Sequence, residues 1–283
     1  MKQDPCMCRE GLVEPGASSG EQCNECCIIA NPNFNLEKPL EPAPFLSGLI
    51  DTLIKYLNIS DKQQESTSCA ARLDYSEEEA KSVAAALRSA SFEVNIISGD
   101  QATVSSTISI SSPVVFHISS HAVATAERAS FRGNFWSDLN SAIILTGYNT
   151  YASGKFDQLH PEAGIGQLPA LAVCSMKLNG TKLVFLSTCI SALGLNPAQE
   201  VVSGLVGAFL AAGAETVVAT LWPVADELAA EFSKLFYHEL KNSGVRPSEA
   251  LSYAKQQMQS RFVSHWFYWG AFTCYGLDRP LVP

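Results

Sequence analysis

Positive charge is scarce in this chain. Against 28 Asp and Glu it carries 19 Lys and Arg, a net charge of −9 over 283 residues. Such a surface disfavours sequence-independent binding of nucleic acid, which relies on Lys and Arg neutralising phosphates. It disfavours anionic membrane surfaces as well; a basic substrate segment suits it better. The first ten residues are polar and lack the apolar core of a secretory signal. No apolar run reads as a membrane span. The most hydrophobic window, residues 205–222, contains Gly213 and Glu215 and reads as helix, tight turn and strand. Internal repeats and low-complexity blocks are absent from the sequence. Histidines number only 5, and His160, His238 and His265 are scattered, as core or surface residues are, rather than clustered as metal ligands. No disulfide framework is expected, because the cysteines are odd in number, 9, and spread along a long chain. A reducing, cytoplasmic setting fits that pattern.

What is abundant is apolar. Hydrophobic residues make up 47% of the chain and charged ones 17%, a globular composition with much buried surface. Residues 1–45 stand apart. They carry Pro5, Pro15, Pro32, Pro39, Pro42 and Pro44 without sustained periodicity, and read as mostly irregular. Cys6, Cys8, Cys23, Cys26 and Cys27 lie there at spacings that could close a zinc tetrahedron. No histidine accompanies them, so a cysteine-bearing tail without metal is the expectation. Residues 45–58 have helical spacing, and residues 60–67 read as a linker. The expected division is therefore an irregular segment with one short helix over 1–68 and a folded domain over 69–283.

Within that domain, Ser76 followed by Glu79 has the form of a capping box opening a helix at 76–90. Strands are expected at 92–97, 114–119, 142–147, 183–189, 216–222 and 269–275. Helices are expected at 168–178, 198–212, 226–241 and 247–261, and a loop at 148–167. Strands alternating with helices imply an α/β fold whose mostly parallel sheet is covered on both faces.

Two strands carry chemistry. Leu183-Val-Phe-Leu-Ser-Thr-Cys189 delivers a thiol to its end, and Val114-Val-Phe-His-Ile-Ser-Ser-His121 delivers an imidazole. Parallel strands ending level would set Cys189 beside His121 on the carboxyl edge of the sheet, where α/β folds carry their sites. A free thiol is mostly protonated at neutral pH, so a neighbouring base is what makes it a nucleophile. The residues that follow, Ile190 to Gly194, form a turn whose N–H groups could stabilise an oxyanion. Taken singly, Cys189 reads as a buried thiol and Asp226 as a helix-start acid favoured by the macrodipole.

Taken in order, these segments resemble the CHAT domain, a caspase- and separase-like cysteine peptidase family. Phe116 to His121 resembles its H-x-A-x-H-G motif and Leu183 to Cys189 its V-L-S-A-C strand. Leu221-Trp-Pro-Val-Ala-Asp226 resembles its L-W-x-V-x-D segment, and Tyr268-Trp-Gly-Ala-Phe272 its closing strand. The resemblance runs over roughly residues 70–277. It implies a caspase-like three-layer sandwich, a cysteine endopeptidase without cofactor, Cys189 as nucleophile and His121 as general base. It also implies that Asp226 faces the S1 pocket, where a carboxylate would favour Arg or Lys at P1. The expected partners are a protein substrate and an activating or adaptor protein.

The sequence departs from the family at three places. Ala122 stands where Gly usually follows the base. Ile190 takes the position often held by Glu, while Ser191 keeps the Ser or Thr that follows; both are expected to shape the substrate cleft. Residues 60–75 contain no apolar run for the family's first strand. These departures keep a second reading open, a caspase-fold interaction module without catalysis.

Overall fold

The computed structural model describes residues 24–36, 69–124, 141–190, 198–261 and 265–281. The helix expected at 45–58, the linker at 60–67 and Cys6, Cys8 and Cys23 lie outside them. Strand β1 (Glu25–Pro32) is followed by helix α1 (Ser76–Ser89), β2 (Glu93–Gly99), the short α2 (Val104–Ile108) and β3 (Val115–Ala124). Then come β4 (Ser141–Ile144), α3 (Tyr148–Ala152), β5 (Gln167–Pro169), α4 (Ala170–Val173) and β6 (Leu183–Ile190). The chain closes with α5 (Ala198–Ala211), β7 (Thr216–Thr220), α6 (Asp226–Leu240), α7 (Pro247–Arg261) and β8 (Phe272–Gly276).

These strands form one sheet in the order β2-β1-β3-β6-β7-β8. The first five are mutually parallel and β8 closes the sheet antiparallel to β7. β3 changes neighbour part-way along. Its first half pairs with β1, up to Ala30 opposite Ser119, and its second half pairs antiparallel with β4. β5 extends that side by pairing with β4.

Alternation along the strands splits the core in two. Val115, Leu183 and Phe185 face α1, α6 and α7; Phe116, Ile118, Val184 and Leu186 face α5 and the short helices α2 and α4. The result is a three-layer α/β sandwich. α1 forms because SEEEAKSVAAALRS is rich in strong helix formers, opens on three glutamates favoured by the macrodipole, and sets Ala80, Val83, Ala84 and Leu87 on one stripe. Phe185 anchors its layer, with ring contacts to His117, Phe236, Tyr237 and Phe272. Burying such a side chain stabilises the fold by about 1.5–3 kcal/mol. Among the described residues no helix is long and apolar enough to cross a membrane.

Four expectations are corrected. The apparently missing first strand is β1, supplied by residues read as irregular. Cys26-Cys-Ile-Ile-Ala30 is a continuous apolar run, fully or almost fully buried between β2 and β3, and its Pro- and Asn-rich surroundings masked it. The capping box does not form. Ser76 turns inward, its hydroxyl donating to the Ser119 carbonyl and accepting from the Asn31 amide. β3 does not stop at His121, because β4 pairs with it as far as Ala124. Residues 148–178 are neither one loop nor one helix; they hold α3, a 3₁₀ turn at Phe156–Gln158, β5 and α4.

Candidate active site

β3 and β6 are in parallel register from Val115 opposite Leu183 to Ala122 opposite Ile190, which sets His121 opposite Cys189. Adjacent strands lie about 4.8 Å apart, and in-register positions share one face of the pleat. On its other side His121 is opposite Ile144 of β4. β1 has already left the sheet at this level. Its exit places Phe34, 4% exposed, with its ring 5.4 Å from the His121 ring and tilted by 40°. Between β6 and β7 the strand pairing involves Val184 and Phe185. Nearer the carboxyl edge, the Thr220 hydroxyl donates to the Thr188 carbonyl at 3.0 Å instead. At this level β3 has exchanged β1 for the antiparallel β4, and β6 meets β7 through the Thr220 side chain, so the His121–Cys189 pair stands where the parallel pairing of the sheet changes.

His121 has a defined tautomer. Its Nε2 lies 2.7 Å from the carbonyl oxygen of Ala71. A carbonyl only accepts, so Nε2 carries a proton, and in the neutral ring the lone pair is then on Nδ1. Nδ1 is buried and has no hydrogen-bond partner among the described residues. Leaving a buried acceptor unpaired costs about 1–3 kcal/mol, and a catalytic role is one physical reason for such an atom. A ring held through one nitrogen with the other unoccupied is what general base catalysis requires.

Below the pair lies a buried polar layer. Glu79 of α1 is 0% exposed; Ser119 donates to it at 2.7 Å, Ser233 of α6 donates to its other oxygen, and His117 Nε2 stands 3.3 Å away. That His117 contact is a close approach without ideal hydrogen-bond alignment. On its other nitrogen His117 meets the Tyr237 hydroxyl at 3.3 Å. Burial alone would push the Glu79 carboxyl up. The His117 imidazole, with the Ser233 and Ser119 hydroxyls, outweighs that and holds it below the usual glutamate range.

Asp226 opens α6 and is half-buried. One of its oxygens accepts the Tyr75 N–H at 2.7 Å. Burial is the main reason its carboxyl lies above the usual aspartate range. The Tyr75 N–H opposes that, Glu79 adds to it, His121 lowers it, and Asp74 raises it again. Asp226 and His121 are thus within electrostatic reach of each other, and both bond the backbone of residues 71–75.

The register brings His121 and Cys189 together and puts Ile190 beside Ala122; Ser191 lies outside the described residues. Among those described, no three His, Cys, Asp or Glu converge as metal ligands. Cys26 and Cys27, being successive strand residues, point into opposite cores, and burial pushes the Cys27 thiol up to about 12. Sequence reasoning missed Glu79 as a buried group. Its signal is a carboxylate on the apolar stripe of α1, between Ser76 and Ala80. The Ala71 contact has no sequence signal, since a backbone carbonyl is the same at every residue.

Comparison with known proteins gives three findings. The family model for the CHAT domain matches residues 11–277. Tetratricopeptide repeat protein 28 of Mus musculus is 38% identical over 115 residues, and its Homo sapiens counterpart 41% identical over 81. Those stretches cover 40% and 28% of this chain but only 5% and 3% of the relatives' own length. Among solved structures, the crystal structure of the Arg-specific cysteine proteinase gingipain R superposes with a TM-score of 0.52 at 9% identity, over 93% of this chain and 48% of that one. At that identity the likeness is one of fold.

Proposed function

This chain belongs to the CHAT-domain family, and we propose that it acts as a cysteine endopeptidase on protein substrates, with Cys189 as nucleophile and His121 as general base. The observation that carries this reading is the register of His121 with Cys189, joined to a His121 Nδ1 that has no hydrogen-bond partner among the described residues. In the proposed reaction Nδ1 takes the thiol proton as sulfur attacks the scissile carbonyl carbon. The proton then passes to the departing amine nitrogen, leaving a thioester on Cys189. Water, deprotonated by the same nitrogen, hydrolyses the thioester and restores the thiol. General base assistance of this kind contributes about 10²–10⁴-fold.

Asp226 is proposed to accept a basic P1 side chain. Its half-buried carboxylate has one oxygen on Tyr75, and burial disfavours its charge until a cation joins it. An Arg or Lys side chain would supply that cation and form a charge-assisted pair. Ile190 and Ser191 are proposed to shape the cleft beside the nucleophile, and a reducing, cytoplasmic compartment would keep Cys189 free. An activating or adaptor protein is proposed as a further partner. The direct test is cleavage of an Arg-containing peptide library by the purified chain and by Cys189→Ala. Loss of all cleavage in the variant supports the assignment, and equal cleavage removes it.

A second reading, an interaction module without catalysis, draws on Ile190, which departs from the Glu implied there by the resemblance to the family's pattern. It predicts that the Cys189 thiol reacts no faster than an ordinary free cysteine.

A further inference from the structure

His121 is oriented from outside its own strand, and the chain of contacts continues one step further back. The Ala71 carbonyl that accepts the Nε2 proton lies in a segment without regular secondary structure, residues 69–75. Something else must hold that segment in place. At Tyr75 the holder is Asp226. At Ala70, next to the critical carbonyl, it is a single side chain of α3. The Ala70 N–H donates to Asn149 Oδ1 at 2.7 Å, and Asn149 Nδ2 donates to the Ala70 carbonyl at 3.0 Å. The same Nδ2 donates to Asn35 Oδ1 at 2.9 Å, and the Asn149 backbone N–H donates to the Phe34 carbonyl at 2.8 Å. Phe34 is the residue whose ring packs on His121. Asn149 is 7% exposed, so these bonds form with little competition from water.

We propose that Asn149 is a positioning residue for the general base. By bonding both backbone groups of Ala70 it fixes the Ala71 carbonyl, and through it the Nε2–H tautomer of His121. Nδ1 is thereby kept as a lone-pair acceptor at the level of Cys189. Only a side-chain amide can do this, because it offers an acceptor and a donor side by side. A carboxylate at the same place would oppose the Ala70 carbonyl and Asn35 Oδ1 with oxygen. The consequence for rate rests on the peptidase reading; the consequence for the tautomer does not.

The test is ¹⁵N-histidine NMR of the full chain, above the imidazole titration range, for wild type, Asn149→Asp and Asn149→Leu, with the His121 signal assigned by its loss in His121→Gln. Wild type is expected as the Nε2–H tautomer. Both variants are expected to shift towards Nδ1–H while the other four histidine signals hold. In kinetics, kcat is expected to fall about 10- to 100-fold, part of the general-base contribution, with KM unchanged. A wild-type Nδ1–H tautomer overturns the proposal outright, even where neither variant folds. So does an unchanged tautomer in a folded variant. A wild type that cleaves nothing, but whose His121 tautomer follows Asn149, retires the peptidase reading and supports the positioning role.

Discussion

Ser119 of β3 donates its hydroxyl to the carboxylate of Glu79 at 2.7 Å, one pleat step below the position where His121 faces Cys189. The base therefore stands on a buried carboxylate that ties β3 to α1 and, through Ser233, to α6. A buried charge with several partners is costly to break, because removing one member strands the others.

Glu79→Ala is expected to destabilise the chain by about 3–5 kcal/mol, read by urea unfolding. Glu79→Gln keeps the shape and loses less. The pH dependence has a definite sign. A carboxyl held below its unfolded value of about 4.3 contributes stability above that pH and loses it as pH falls through the lower folded value. Wild type should lose stability over that acid window, and Glu79→Gln should flatten the slope there.

Asp226 separates two roles by substitution. Asp226→Asn retains an oxygen for the Tyr75 N–H while removing the charge, so the fold should persist and any preference for Arg or Lys at P1 should vanish. Asp226→Ala loses the bond too, at a cost of about 1 kcal/mol. Because burial raises the folded value, the stability this group contributes is complete below the unfolded value of about 3.9 and is lost as pH rises through the folded one. Asp226→Asn should therefore equal or exceed wild type in thermal stability at neutral pH.

Gly166 has φ +64°, and a Cβ there would overlap the backbone of Tyr148, the residue before Asn149. Gly166→Ala should destabilise by more than about 1 kcal/mol and displace α3. Thermal unfolding checks the first effect, and the His121 tautomer the second.

Much of this architecture was legible in the sequence, and the failures have physical reasons. Helices α1, α5, α6 and α7 carry apolar stripes or continuous apolar faces, so their positions could be read from periodicity. The His121–Cys189 pairing could be anticipated because a continuous apolar run fixes where a buried parallel strand lies. β1 escaped because prolines and asparagines around it outweighed one short apolar run in a composition-based reading. The capping box failed because tertiary burial took Ser76 and Glu79 into the core, where both found better partners than the helix end. Ala71 acts through its backbone carbonyl and Asn149 through a side chain bonded to the Ala70 backbone, and those contacts exist only once the chain is folded.

The central claim is that Cys189 is activated by His121. It is tested most directly by labelling the purified chain with an Arg-containing, thiol-directed acyloxymethyl ketone peptide, comparing wild type, Cys189→Ala and His121→Ala. The account predicts stoichiometric labelling of wild type at Cys189, none of Cys189→Ala, and labelling of His121→Ala slowed about 10²-fold or more. Labelling at the same rate with and without the imidazole, or none in a demonstrably folded wild type, would contradict it.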